Sequence, residues 1–239
     1  MNQDNFICDG QYLEGSQGMG LPLCGVKLGK DHPVFGIFDG MGGEECGEIA
    51  SYIAAKRAAA LSVKRNAALD LAQFCEKANE DICCYAARHH ISSMGTTAAV
   101  LAFTSQQITL CNIGDSKIFR FCGGELEQIS RDHVAAAAFG RKPPLSQNLG
   151  IPPDELWLEP YIAKGEYSHG DVYLICSDGL TDMVCQEDIK EALNLQPLEE
   201  AGMELLNRAL DNGGKDNITI LLCQIKRKAG KLFRQKFCV

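Results

Sequence analysis

Long apolar runs are absent from this 239-residue sequence. No stretch approaches the length of about 20 residues that a bilayer-spanning helix requires, and no charged-then-apolar leader follows Met1. A surplus of positive charge is also missing, because the formal net charge is −8 at pH 7. Phosphate backbones favour basic surfaces, so we expect no nucleic-acid partner. Because no apolar run is long enough, we also expect no membrane span.

Cysteine is abundant, with 12 residues, but spacing typical of a metal site or a disulfide framework is lacking. No C-x-x-C pair occurs, Cys83 and Cys84 are adjacent, and most other cysteines lie inside apolar strand or helix patterns. A zinc site needs paired ligand spacing and is therefore not expected. Buried thiols in a reducing compartment explain the count better than disulfides do, and they predict a cytoplasmic protein.

Strand and helix patterns occur in separate blocks along the chain. Helical spacing or propensity covers four ranges, Glu48 to Val63, Leu71 to Ala86, Glu187 to Leu193 and Leu198 to Asp211. Strand patterns cover nine, Leu21 to Leu28, Val34 to Phe38, Thr96 to Phe103, Gln107 to Asn112, Lys117 to Cys122, Leu126 to Ile129, Tyr161 to Ala163, Asp171 to Cys176 and Asn217 to Ile225. Helices segregated between runs of strands predict an α+β domain.

No linker divides the chain, so we expect a single domain over residues 1–225. The stretch from Arg141 to Glu155 holds four prolines and little periodicity, which predicts an irregular connection. Residues 226–239 carry six basic side chains and no acidic one. Such a tail is either solvated or disordered, or it docks on an anionic partner.

Four aspartates stand where apolar strands begin or end, namely Asp39, Asp115, Asp178 and Asp216. An Asp-Gly pair is also a favoured turn, so Asp39 and Asp178, each taken alone, are interpreted as turn residues. Asp115 alone is interpreted as an ordinary turn aspartate, and Asp216 as a strand-flanking cap. Together they form an all-oxygen ligand set that suits Mg²⁺ or Mn²⁺. Because Gly40 has no Cβ, its carbonyl can approach an ion closely. The pattern predicts a divalent-metal site on a sheet scaffold.

Seven short motifs make this hypothesis specific. They occur in the order Asn2-Gln3-Asp4, Phe38-Asp39-Gly40-Met41-Gly42-Gly43, Met94-Gly95-Thr96-Thr97, Ile113-Gly114-Asp115-Ser116, Ser130-Arg131-Asp132-His133, Cys176-Ser177-Asp178-Gly179-Leu180 and Gly214-Lys215-Asp216-Asn217-Ile218-Thr219. The series resembles the metal-dependent type-2C Ser/Thr protein phosphatases (the PPM family), and the bacterial branch in particular. The resemblance extends from Asn2 to about Ile225.

The resemblance implies a four-layer α-β-β-α sandwich in which helix pairs flank two antiparallel sheets. It implies that Asp39 bridges two ions, that the Gly40 carbonyl binds one of them, and that Asp178 and Asp216 complete the other shell. Asp4 would orient water. Asp115 would help to bind the third ion of bacterial members, together with Asp178.

The chemistry implied by the resemblance is hydrolysis of phosphoserine and phosphothreonine in proteins. A water bridging the two ions attacks phosphorus in line with the leaving alkoxide, and no phosphoenzyme forms. The expected partners are phosphorylated proteins, the products of a Ser/Thr kinase, and the expected oligomeric state is a monomer. Ser116 and Ser177 are interpreted as turn hydroxyls rather than nucleophiles.

Two departures from the family pattern stand out. Family members carry a phosphate-gripping arginine a few residues before the first motif, whereas Met1 directly precedes Asn2 here. Either the natural start lies further upstream, which we expect because the metal motifs look intact, or this member binds phosphate weakly. No residue is assigned to substrate binding. Met41 replaces a histidine that many eukaryotic relatives have, and methionine cannot protonate a leaving group.

The segment 133–160 is expected to be a short form of the flap that bacterial relatives carry near the site. Its Arg141 and Lys142 are either solvated charges or contacts for an acidic or phosphorylated substrate. Two alternative functions stay open. One is a pseudophosphatase that uses the same fold as a regulatory binding module, and the other is a phosphatase of small phosphate esters.

Overall fold

A computed structural model describes residues 1–14, 23–24, 33–41, 46–63, 66–105, 107–136, 142–228 and 231–238, with only the backbone described for 23–24 and beyond 226. Two antiparallel sheets form its centre. The first sheet has five strands in the order β1-β3-β4-β5-β8, and the second has six in the order β2-β11-β10-β9-β6-β7. The strands are β1 Asp4–Cys8, β2 Leu23–Cys24, β3 Val34–Asp39, β4 Ala98–Phe103, β5 Ile108–Ile113, β6 Lys117–Cys122, β7 Glu125–Gln128, β8 Tyr161–Gly165, β9 Val172–Cys176, β10 Ile220–Lys228 and β11 Lys231–Cys238.

Helices cover the outer face of each sheet. Two long helices pack on the first sheet and three shorter ones on the second. They are α1 Gly47–Ala59, α2 Ala67–His89, α3 Asp178–Thr181, α4 Gln186–Ala192 and α5 Leu198–Asp211. The predicted four-layer α-β-β-α sandwich is therefore confirmed.

Alternation along the strands explains why three cores form between four layers. In β3, Phe35 and Ile37 point into the core between the sheets, whereas Val34 and Phe38 point toward α1 and α2. In β9, Tyr173 faces the other sheet and its neighbours face the α3 to α5 layer. Successive side chains of a strand lie on opposite faces, so central strands that are apolar at every position stabilise both cores.

Most predicted elements are present with ends shifted by a few residues, but the two chain ends differ from expectation. Strand β1, which was not among the predicted strands, pairs with β3 along its whole length. At the other end β10 continues past the boundary expected at residue 225, and β11 pairs with it from Leu221↔Cys238 to Lys228↔Lys231. The expectation of a disordered tail is therefore wrong for this backbone, because its amide groups bond to a neighbouring strand.

Of the strand predicted from Leu21 to Leu28, only Leu23–Cys24 lies within the described residues, where it pairs with β11. Gly42, Gly43 and Arg141 lie outside the described residues. The ten cysteines that are described are all free thiols, of which five are buried and five are partly or fully exposed, so the prediction of buried thiols holds for half of them. No helix in the described ranges is long and apolar enough to cross a membrane.

Candidate active site

Two of the predicted site residues are neighbours across one strand ladder. Asp4 opens β1 and Asp39 closes β3, and the two residues are direct partners in the antiparallel register. Cα partners in such a pair lie about 4.5 to 5.5 Å apart. The ladder therefore holds two carboxylates side by side at the end of the first sheet.

Threonine side chains hold the backbone of Asp39 where the regular pairing of β3 and β4 ends. The Asp39 amide donates to Thr97 Oγ1 at 3.0 Å, and the Asp39 carbonyl accepts from Thr96 Oγ1 at 2.9 Å and from the Thr97 amide at 2.8 Å. These contacts satisfy the backbone of Asp39 without its side chain, so the carboxylate stays available to a ligand.

The second sheet supplies hydroxyls that hold the Asp4 carboxylate. Ser177 Oγ donates to Asp4 Oδ2 at 2.9 Å, and Thr219 Oγ1 donates to the same oxygen at 2.6 Å. The other oxygen, Asp4 Oδ1, is buried and has no hydrogen-bond partner among the described residues. Ser177 is therefore a positioning hydroxyl, in line with its interpretation as something other than a nucleophile.

Asp178 and Asp216 flank the junction between β9, α3 and β10. Asp178 is the first residue of α3, and its Oδ1 is buried with no hydrogen-bond partner in the described part of the chain. Asp216 is exposed. The next residue, Asn217, accepts the Gln3 amide on its side-chain oxygen at 2.9 Å, which ties this junction to the residue before Asp4.

Asp115 follows β5 in a turn that the preceding glycine makes possible. Gly114 has φ +92°, a left-handed conformation that side chains other than glycine rarely adopt, and a Cβ there would lie 2.6 Å from Thr97 Cγ2. Asp115 itself is 7% exposed. The turn thus places Asp115 and its nearly buried carboxylate close to Thr97, which also bonds to the backbone of Asp39.

Gly40 is surrounded by backbone. Its amide donates to the Gln3 carbonyl at 3.1 Å. A Cβ on Gly40 would lie 2.3 Å from the Gly47 carbonyl oxygen and 2.7 Å from that of Gln3. Only glycine fits between β1 and the start of α1 at this position.

Burial and mutual repulsion perturb the acids of the site. Burial, followed by the charges of the four other aspartates, raises the pKa of Asp39 well above its ordinary value. Burial likewise raises the pKa of Asp4 to about 7, although hydrogen bonds from Thr219 and Ser177 oppose this shift. Burial and the charge of Asp178 raise the pKa of Asp115. The fold therefore concentrates negative charge where proton or cation binding relieves it.

The donor set suits a hard divalent cation. It offers carboxylate oxygens and a backbone carbonyl, and two of the buried carboxylate oxygens lack partners within the described ranges. As the side chains stand, no three His, Cys, Asp or Glu residues in the described part of the molecule converge into a ready-made metal site. The residues fit Mg²⁺ or Mn²⁺ by chemistry.

One basic side chain enters the carboxylate group. Lys142 Nζ donates to Asp178 Oδ2 and, at 2.9 Å, to Asp182 Oδ2, and it lies 3.7 Å from Asp115 Oδ2. Burial lowers the pKa of Lys142, but its hydrogen bonds with Asp178 and Asp182 outweigh this effect and raise the pKa overall. The alternative that Lys142 is only a solvated loop charge is wrong, because its ammonium group is bonded to this cluster.

Sequence reasoning missed several residues that organise the site. Thr97, Thr219 and Asn217 belong to quoted motifs but had no stated role, and Asp182 had no signal of its own. The hydroxyl and amide groups that recur beside each strand-end aspartate were the available signal, since buried polar groups need partners.

Comparison with known proteins identifies similar chains. The profile of the family described as Protein phosphatase 2C matches residues 24–222. The serine/threonine protein phosphatase PstP of Mycobacterium tuberculosis is 31% identical over 204 residues, which cover 79% of this chain but 40% of PstP. Protein phosphatase PhpP of Streptococcus pneumoniae is 30% identical over 215 residues, covering 80% of this chain and 85% of PhpP.

A solved structure extends the similarity to the fold. The crystal structure of the catalytic domain of PstP in complex with two manganese ions is 26% identical to this chain and superimposes with a TM-score of 0.70. The match covers 98% of this chain and 99% of the PstP chain. This chain thus spans about 40% of the length of full PstP and nearly all of its solved catalytic domain.

Proposed function

The chain belongs to the protein phosphatase 2C family and is similar to its bacterial members, and from this premise we propose that it hydrolyses phosphoserine and phosphothreonine in proteins. Its cofactors would be Mg²⁺ or Mn²⁺. The similar proteins are named as serine/threonine or protein phosphatases, and one of them has been crystallised with two manganese ions.

The observation that carries this proposal is the concentration of aspartates around Asp39. Asp39 lies beside Asp4 in the strand ladder, and its pKa is raised first by burial and then by the charges of four other aspartates from separate segments. A fold that only had to be stable gains nothing from like charges at short range. The same arrangement is useful to an enzyme that must hold divalent cations beside a phosphate.

Each predicted ligand has a role in this proposal. Asp39 and the Gly40 carbonyl, with Asp178 and Asp216, would hold two ions, and Asp115 would contribute to a third together with Asp178. When bound, such ions supply an activated water and neutralise the charge of the phosphoryl group.

The protein's own residues organise the remainder of the site. Ser177 and Thr219 fix one oxygen of Asp4, so the other oxygen would orient a water molecule. Thr96 and Thr97 fix the backbone on which Asp39 stands. Neither Ser116 nor Ser177 is needed as a nucleophile, and no phosphoenzyme would form.

The proposed partners are phosphorylated proteins, as products of a Ser/Thr kinase, and the proposed oligomeric state is a monomer. The ten free thiols support the proposed location in the cytoplasm, where glutathione keeps thiols reduced.

Metal-dependent hydrolysis tests the proposal directly. Purified protein freed of metal with EDTA should hydrolyse p-nitrophenyl phosphate and a phosphothreonine peptide only after Mn²⁺ or Mg²⁺ is added. Asp39→Asn and Asp178→Asn should each lower kcat by about 100-fold or more, since each removes a charged ligand. Asp211→Asn, an exposed aspartate at the end of α5, is the matched control and should retain full activity.

Three results would contradict the proposal. Turnover that survives EDTA, or that persists in both ligand variants, would exclude metal-dependent hydrolysis. Faster turnover of small phosphate esters than of phosphopeptides would favour the small-ester alternative. An intact fold that binds Mn²⁺ but turns over no substrate would favour the pseudophosphatase.

A further inference from the structure

The Lys142 side chain crosses from a solvent-facing loop into the carboxylate cluster. The side chain is 48% exposed, whereas those of Asp178 and Asp115 are 15% and 10% exposed. The half-exposed Lys142 side chain therefore brings its charge from the surface to two largely buried acids and to the half-exposed Asp182. An ammonium group is a compact charge with three donors, and three carboxylates surround it here.

The two oxygens of the Asp178 carboxylate differ in their contacts. Asp178 Oδ2 accepts the hydrogen bond from Lys142, while the buried Oδ1 has no hydrogen-bond partner within the described ranges. Oδ2 is thus paired with the ammonium group of Lys142. Oδ1 stays available to an ion shared with Asp39.

Lys117, the neighbouring base, is engaged elsewhere. Its Nζ donates to Asp132 Oδ2 at 2.5 Å and to the Asp115 backbone carbonyl at 3.3 Å. Among the described residues, Lys142 is therefore the side chain that supplies positive charge to the carboxylates of Asp115 and Asp178 together.

We propose that the ammonium group of Lys142 is the built-in cation of the Asp115, Asp178 and Asp182 cluster, and that it competes there with a divalent ion. This inference rests on the proposed function, because it presupposes a metal centre at Asp39. With Lys142 in place the chain holds two divalent ions, and the position between Asp115 and Asp178 accepts a third only when Lys142 leaves. Lys142 is a positioning residue that sets the metal stoichiometry.

Counting bound ions tests this inference without any activity measurement. Equilibrium dialysis of the full chain against Mn²⁺, followed by atomic absorption, should give two tight ions per wild-type chain. Lys142→Ala should bind a third ion with an affinity raised by about tenfold or more, a difference of about 1.4 kcal/mol. Lys142→Arg retains the charge and should retain the wild-type count.

Two further variants keep the test specific. Lys190→Ala removes an exposed lysine paired with Glu125 at 2.8 Å on the far side of the second sheet, so it should leave Mn²⁺ binding unchanged. Asp182→Asn loosens the Lys142 contact without touching a proposed ligand, and it should raise the affinity for the third ion by a smaller factor. Circular dichroism spectra that match those of wild type establish that each variant is folded.

The outcomes separate this inference from the proposed function. Two ions in wild type and an identical isotherm for Lys142→Ala would overturn the role of Lys142 and leave the metal centre intact. An equal gain in Lys190→Ala would also overturn it, since the effect would then be one of net charge. Failure of wild type to bind any Mn²⁺ would refute the metal centre and, with it, both proposals.

Discussion

Neutralising Asp4 should stabilise the metal-free protein, by an amount that grows with pH. Burial, opposed by the Thr219 and Ser177 hydrogen bonds, raises the pKa of Asp4 from 3.8 to about 7. Between these two values the folded chain keeps a proton that the unfolded chain has released, so stability falls as the pH rises through this range. Above pH 7 the whole penalty for the buried charge is present.

The magnitude follows from the separation of the two pKa values. One pH unit corresponds to about 1.36 kcal/mol. The raised pKa of Asp4 therefore costs the folded state about 4 kcal/mol at pH 8, where the carboxylate is ionised, and about 2 kcal/mol at pH 5, where the folded chain keeps a proton that the unfolded chain has released. Asparagine keeps an oxygen that accepts from Ser177 and Thr219 but carries no charge. The stabilisation by Asp4→Asn at pH 8 should therefore exceed that at pH 5 by about 2 to 3 kcal/mol.

Urea unfolding followed by circular dichroism in EDTA, at both pH values, measures this difference. Comparing one substitution at two pH values cancels any constant cost of the amide group. The exposed Asp211→Asn serves as control and should shift stability by less than about 0.5 kcal/mol at either pH. Equal stabilisation by Asp4→Asn at both pH values, or lower stability at pH 8, would refute the argument that charge burial at Asp4 is costly.

Three further predictions concern other parts of the molecule. Gly179→Ala should destabilise the fold by about 3 kcal/mol, because its Cβ would lie 2.0 Å from the Asn217 carbonyl oxygen. The control, Gly165→Ala in β8, meets only Ile108 at 3.5 Å and should be close to neutral. Urea denaturation measures the free energy of unfolding of both variants. Arg120→Met should lower the free energy of unfolding by about 3 kcal/mol, because Asp171, which is 1% exposed, loses its ion pair. The double variant with Asp171→Asn should recover part of this loss in the same assay. Mn²⁺ at 100 times its dissociation constant should stabilise the wild type by about 2.7 kcal/mol and leave Asp39→Asn nearly unchanged, which thermal melts with and without EDTA would reveal.

The local pattern of apolar and polar residues was sufficient to predict the central strands and the long helices. Apolar residues at every position of β4 and β9 predict strands buried on both faces, and the observed cores confirm this. The aspartates at strand ends were visible for the same reason, since a charge that interrupts an apolar run marks the end of a strand. What the sequence could not supply was the set of partners that each polar group meets after folding.

Strand β1 illustrates this limit. Its first two residues, Asp4 and Asn5, are polar and buried, so the local sequence resembles a turn more than a strand. Asn5 is satisfied by the backbone of Leu13 and Asp4 by residues of the second sheet. Lys142 is a similar case, because a lysine in an irregular loop carries no local signal that its charge reaches Asp178.

The hydrogen bonds of Asp4 link cation binding to the order in which the chain folds. They join residues separated by 173 and 215 positions, and contacts of such long range carry the largest loop-closure entropy. Both sheets must be packed together before Asp4 can be held beside Asp39. An ion bound at the proposed metal centre would select chains in which β1 has already docked against the far end of the sequence, so its binding free energy would add directly to the stability of the complete domain.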